Sequence, residues 1–206
     1  MNKTAIIIPS RLDALRLPNK PLKLINNKEM ILHVYEAAKK TNTGEVYVAT
    51  PDQKIIDIII SNGGKAVLTS LNHQTGTDRI YEVFKTKLKS EPNVIVNLQG
   101  DMPNIDPQAI TDLVSYMHKD QCDIGTLASS FSSESELIDE NNVKVSVKDK
   151  LATNIFQKAT DFFRAGVKNY KNFYHHVGIY AFTNKALVRY VSLERSKLEL
   201  ERKLEQ

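Results

Sequence analysis

The chain of 206 residues contains a single cysteine, Cys122, so no intramolecular disulfide is available and a reducing compartment is the simpler setting. That cysteine is predicted to be a small buried filler. Long apolar runs are also missing. The apolar start at residues 5–8 is too short for a secretory core, and the isoleucine-rich stretch around 55–60 is too short to cross a bilayer. A cytoplasmic protein with no membrane partner is therefore expected. There is no large excess of one charge: 28 basic residues are interspersed with 24 acidic ones, for a net charge of +4. A pI near 9.0 could suggest nucleic acid, but basic residues spread along the chain suit a small anionic substrate better than a polyanion. Neither a P-loop nor the Rossmann glycine fingerprint occurs, so any phosphate must be held mainly by side chains. No internal repeat, low-complexity tract or proline-rich linker divides residues 1–206, which reads as one domain.

What is present is alternation. Apolar runs of strand length at 5–8, 46–49, 66–68 and 94–98 are separated by helix-length segments at 30–40, 52–62, 77–88 and 107–118. This is the grammar of β-α-β units on a parallel sheet. From about Asp123 strand-like stretches follow more closely, at 124–131, 143–147 and 177–182, and predict a mixed sheet. Ser196, with Glu199 three residues later, opens a last helix that is expected to run to the end of the chain.

Several segments could carry chemistry. After the first strand, Pro9-Ser10 leads into a loop holding Arg11, Arg16 and Lys20, at the strand end where open α/β sheets bind ligands. Arginine suits bidentate phosphate contacts and lysine acts as a point charge. Taken alone, the loop reads equally well as a solvated basic turn. The segment Asn72-His73-Gln74-Thr75-Gly76-Thr77-Asp78-Arg79 is a polar loop entering a helix, where Thr77 could serve merely as an N-cap. The strand at 94–98 ends in Gln99-Gly100-Asp101, and Asp101 is placed to share Mg²⁺ with a triphosphate, although an aspartate near a proline is also common turn punctuation. Along His175-His176-Val177-Gly178-Ile179-Tyr180, alternation would set His176, Gly178 and Tyr180 on one face, where a histidine and a tyrosine are more often core residues.

Together these blocks resemble the CMP-Kdo synthetases, the 3-deoxy-manno-octulosonate cytidylyltransferases. The resembling residues are Arg11 with Arg16-Leu17-Pro18 and Lys20-Pro21-Leu22, the His-x-x-Gly-Thr-Asp-Arg block, Gln99-Gly100-Asp101, and His176-Val177-Gly178-Ile179-Tyr180. The resemblance implies a three-layer α/β nucleotidyltransferase fold with a mixed, mainly parallel sheet, a homodimer, and transfer of CMP from CTP to Kdo for bacterial lipopolysaccharide biosynthesis. It implies that Pro9, Ser10, Arg11, Arg16, Lys20, Gly76, Arg79 and Gln99 bind the nucleotide. Arg11, Lys20 and Asp101 would be catalytic, with Asp101 the Mg²⁺ ligand. Lys158, His176, Tyr180, Glu205 and Gln206 would meet the sugar acid.

Departures from the family pattern fall at Ala14-Leu15, where members carry hydroxyl residues, at Met102 in place of an acid, and at Lys158 in place of an arginine. Family members also continue past Gln206 into a segment with a second metal-binding aspartate, so the chain reads as C-terminally truncated. Two alternatives stay open at this point. One is a sialic-acid cytidylyltransferase, which shares the Arg-Leu-Pro-x-Lys block, and the other is a relative that binds nucleotide without turning it over.

Overall fold

The computed structural model describes all residues except 1–2, 14–16, 120–121, 153–154, 165–171, 203 and 205–206. Its contacts cluster in two compact units, Met1–Gly125 with Ile179–Ser192, and Thr126–Gly178 with Leu193–Gln206.

In chain order the first unit contains β1 (Thr4–Pro9), a 3₁₀ turn (Lys20–Leu22), β2 (Leu24–Ile25), β3 (Lys28–Glu29), α1 (Met30–Lys40), β4 (Glu45–Thr50), α2 (Gln53–Ser61), β5 (Ala66–Leu68), α3 (Gly76–Thr86), β6 (Val94–Asn97) and α4 (Pro107–Lys119). β7 (Ile124–Ser129) leads on to the second unit, which has α5 (Glu134–Ile138), β8 (Lys144–Val147), β9 (Ala159–Phe163) and the start of β10 (Asn172–Thr183). The end of β10 and α6 (Asn184–Ser192) belong to the first unit, and α7 (Lys197–Arg202) to the second.

The first unit has the strand order β5-β4-β1-β6, all parallel, with the end of β10 antiparallel to β6 so that Tyr180 faces Asn97. β1 is buried along its whole length, as a central parallel strand covered on both faces must be, and this is why it reads as an unbroken apolar run. On one face Ala5, Ile7, Tyr47, Ala49, Ile95 and Phe182 pack against Ile80, Val83 and Phe84 of α3 and Leu187 of α6. Strand alternation leaves Ile6, Ile8, Val48 and Val96, all fully buried, for the opposite face, where α1 packs on β4 and α4 on β6. In the second unit β8 runs antiparallel both to the start of β10 and to β9. There Lys144 is buried and its ammonium donates to the carbonyls of Asp139, Asn142 and Arg164 at 2.6, 2.9 and 2.8 Å, which uses all three of its donors.

The mixed sheet flanked by helices is the one expected, and α1 and β5 keep their predicted boundaries. Four details differ. The hairpin β2–β3 turns on Asn26 and Asn27 at φ 48° and 61°, a left-handed pair that an Asn-Asn step allows and that periodicity does not reveal. The cap of α3 is Thr75, while Thr77 is buried and accepts a hydrogen bond from Asn97 Nδ2 at 3.2 Å. The last helix is described over Lys197–Arg202, and Leu204 is not helical, its N–H donating to the Glu199 carbonyl. Cys122 is only half-buried, with its Sγ 3.4 Å from the Met117 sulfur.

Candidate active site

Strands β4 and β5 lie on one side of β1 and β6 on the other, so the chain reverses its direction of winding beside β1. In such a sheet the carboxyl ends of the strands flanking the reversal open a crevice. A cleft of about 700 Å³ lies there, lined by Pro9, Ser10 and Arg11 after β1 and by Gln99, Gly100 and Asp101 after β6. The two strand ends approach closely because position 100 has no side chain: a Cβ there would stand 2.9 Å from the Pro9 carbonyl oxygen and 3.4 Å from Ser10 Cβ. Gly76 closes in from α3, its missing Cβ only 3.2 Å from Pro9 Cγ.

The charged groups of the cleft are opposed. Lys20, delivered by the 3₁₀ turn after Asn19 in left-handed conformation (φ 57°), donates to Asp101 Oδ2 at 2.6 Å. Arg11 is exposed, and the loop behind it is tied down by the Leu12 N–H, which donates to Asp52 Oδ2 at 2.8 Å. Asp13, which sequence reasoning passed over, also lines the cleft. The Ser10 N–H donates to the Ala49 carbonyl at 2.9 Å, whereas its hydroxyl is buried and has no hydrogen-bond partner among the described residues. A buried hydroxyl without a partner costs free energy unless a ligand supplies one. Arg16 lies outside the described residues.

The third wall comes from the N-terminus of α3. Thr75 accepts from the Asp78 N–H at 3.1 Å, and Asp78 accepts in return from the Thr75 N–H at 3.2 Å, a reciprocal capping box. Arg79 is buried, and its Nη1 donates to Thr69 Oγ1 at 2.6 Å and to the Ser70 carbonyl at 2.9 Å. Burial first, and the nearby Arg11 charge second, hold the Arg79 guanidinium below its ordinary pKa. One visible task of this arginine is therefore to hold the loop that precedes the helix. Gln99 Nε2 bonds to Asn97 Oδ1 at 3.1 Å, and Asn97 bonds in turn to Thr77, a buried amide chain that fixes the Gln99 side chain at the cleft edge.

The structure thus brings Pro9, Ser10, Arg11, Lys20, Gly76, Arg79, Gln99 and Asp101 to one cleft. Of the residues expected at the sugar acid, His176 and Lys158 belong to the second unit and Tyr180 to the first. His176 belongs to the second unit, where it is buried, shares a 2.9 Å hydrogen bond with Thr126 Oγ1, and meets the Phe162 ring edge-on at 5.1 Å. Burial, and after it the neighbouring His175, pushes its pKa down to about 4, so the ring is neutral at pH 7. Tyr180 belongs to the first unit and packs against its core beside Phe182. Lys158 is exposed in the second unit, in a segment without regular structure. Glu205 and Gln206 lie outside the described residues.

An open α/β sheet with a cation-bearing cleft at its reversal point, and with no glycine-rich phosphate loop, is compatible with a nucleotidyltransferase that holds phosphates by side chains. The chain belongs to the cytidylyltransferase family, whose model matches residues 5–206, and within it to the 3-deoxy-manno-octulosonate cytidylyltransferases. It is 39% identical to the 3-deoxy-manno-octulosonate cytidylyltransferase of Brucella ovis and 40% identical to that of Brucella anthropi, in each case over 99% of this chain and 82% of the relative. Among solved structures, a CMP:2-keto-3-deoxy-manno-octonic acid synthetase complexed with CTP superposes with a TM-score of 0.87 at 36% identity, over 99% of this chain and 83% of that one. A cytidylyltransferase from Leptospira borgpetersenii, 22% identical with a TM-score of 0.62 over 96% of this chain and 67% of that one, shares the fold.

Proposed function

We propose that the chain transfers CMP from CTP to the anomeric hydroxyl of Kdo, forming CMP-Kdo and pyrophosphate. The observation that carries this reading is the cleft at the ends of β1 and β6, which gathers Arg11, Lys20, Gln99 and Asp101 in a chain that matches CMP-Kdo synthetases over 99% of its own length. Attack by the sugar oxygen on the α-phosphorus breaks the bridge to the β-phosphate. The protein therefore has little covalent chemistry to do, and positioning and charge neutralisation dominate.

Arg11 and Lys20 meet the triphosphate, with Lys20 exchanging its Asp101 contact for phosphate oxygens. Ser10 turns its buried hydroxyl to the nucleotide, and Gln99 orients it. Among the described residues no three His, Cys, Asp or Glu side chains converge, so a self-sufficient protein cage is not what the cleft offers. Its donor set suits Mg²⁺, which takes one or two carboxylates and fills its remaining positions with phosphate and water. Asp101 is the proposed ligand, and the ion, when bound, would neutralise charge developing on the triphosphate. His176, Tyr180 and Lys158, with Glu205 and Gln206, are proposed for the sugar acid, with His176 acting as a neutral hydrogen-bonding ring.

Among the described residues no helix is long and apolar enough to cross a membrane. Cytoplasmic action as a homodimer in lipopolysaccharide biosynthesis completes the proposal. A panel of sugar acids offered with CTP and Mg²⁺, with the CMP-sugar identified by mass spectrometry, tests it. CMP-Kdo as the dominant product supports the reading, and CMP-sialic acid in its place contradicts it.

A further inference from the structure

His73 has no role in the scheme above, yet the structure holds it in place with some care. It lines the nucleotide cleft at the mouth of α3, less than a quarter exposed, and its Nε2 is hydrogen-bonded to the Glu82 carboxylate. The same Glu82 oxygen accepts from the Ser70 N–H at 3.0 Å. Glu82 stands three residues beyond Arg79 on α3, on the same side of the helix, and Arg79 holds the same loop through Thr69 Oγ1 and the Ser70 carbonyl. The loop that carries His73 is thus clamped twice. Burial raises the Glu82 pKa, but the bonds from His73 and Ser70 and the nearby charges outweigh it, and the group stays below the ordinary carboxylate range. An ionised carboxylate can only accept, so the ring donates its Nε2–H to Glu82, and in the tautomer that this contact fixes the second ring nitrogen carries no proton. This leaves Nδ1, which has no hydrogen bond among the described residues, as an acceptor.

We infer that His73 is a nucleotide-specificity residue whose Nδ1 accepts a hydrogen bond from a donor on the ribose or the base, and that Glu82 is the positioning residue that fixes its tautomer. The inference rests on CTP occupying this cleft. Ionised phosphates offer no donor to an acceptor nitrogen, whereas a cytidine nucleotide offers ribose hydroxyls and the 4-amino group of cytosine.

The test is calorimetric titration at pH 8 with CTP, 2′-deoxy-CTP and UTP, on the full chain and on His73→Ala, His73→Asn, Glu82→Gln and the double variant His73→Ala/Glu82→Gln. His73→Ala is expected to weaken CTP about tenfold, which is one hydrogen bond, and to level the preference for CTP over the analogue that lacks the matching donor. Loss of discrimination against 2′-deoxy-CTP assigns the ribose, and loss against UTP assigns the base. The amide of His73→Asn stands close to the Nδ1 position and its oxygen can accept, so it should recover most of the affinity. Glu82→Gln should weaken CTP alone but add nothing to His73→Ala, because it acts through that ring. Unchanged CTP affinity in His73→Ala overturns the inference, as does an additive double variant or discrimination that survives the loss of the ring. Failure of the unsubstituted chain to bind CTP overturns the functional reading, and the inference falls with it.

Discussion

Ser10 shows how a single side chain can separate function from stability. Its hydroxyl is buried in the cleft wall and has no partner among the described residues, so it contributes little to the fold and is available to a ligand. Ser10→Ala is therefore expected to leave the melting temperature unchanged or slightly raised while weakening CTP by a few-fold, as differential scanning fluorimetry and calorimetry would measure. A clear drop in melting temperature would mean that the hydroxyl serves the fold. Asp101 should behave in the opposite way at the chemical step. Asp101→Asn keeps the shape and an acceptor but removes the charge that answers Lys20 and the proposed Mg²⁺, and turnover should fall about 100-fold or more. Turnover that stays Mg²⁺-dependent at an undiminished rate would reject the metal assignment.

At the scale of elements, the α3 terminus joins fold and site. Its capping box holds the first turn whose Gly76 packs on Pro9, so a change at the cap should register in both. Thr75→Ala should cost about 1 kcal/mol, or roughly 2–4 °C in melting temperature for a chain of this size. CTP affinity should weaken with it, and an unaltered affinity would show that the cleft does not depend on the cap. The same element shows where sequence reasoning succeeds and where it stops. The parallel strands and their helices were legible because buried strands read as apolar runs and amphipathic helices carry a 3.6-residue period. The cleft-lining ends of β1 and β6 were legible as a candidate site because polar, charged and small residues follow apolar runs there. The hairpin at Asn26-Asn27, the short α5 and the half-buried β9 gave no such contrast. The clamp of Arg79 and Glu82 on the loop before α3 depends on tertiary geometry, and spacing along the chain carries no trace of it.

At the scale of the whole molecule, His176 links a buried site to global stability. Its pKa of about 4 in the folded chain lies well below the ordinary 6.5. An unfolded chain therefore binds a proton at His176 between these values while the folded one does not, and stability must fall as the pH drops from about 6.5 towards 4. The loss attributable to this ring is about 3 kcal/mol. Urea unfolding followed across that range should show the decline, and His176→Asn should flatten that part of it. An identical slope in the variant would contradict the assignment. The neutral ring at pH 7 also suits a hydrogen-bonding role towards a sugar acid better than a charge-pairing one.

The most direct test of the central claim is pyrophosphate release from CTP and Mg²⁺ with and without Kdo. Release that requires both CTP and Kdo is the predicted result. No release with Kdo, under conditions in which calorimetry shows CTP bound, would contradict the claim that this chain completes the transfer.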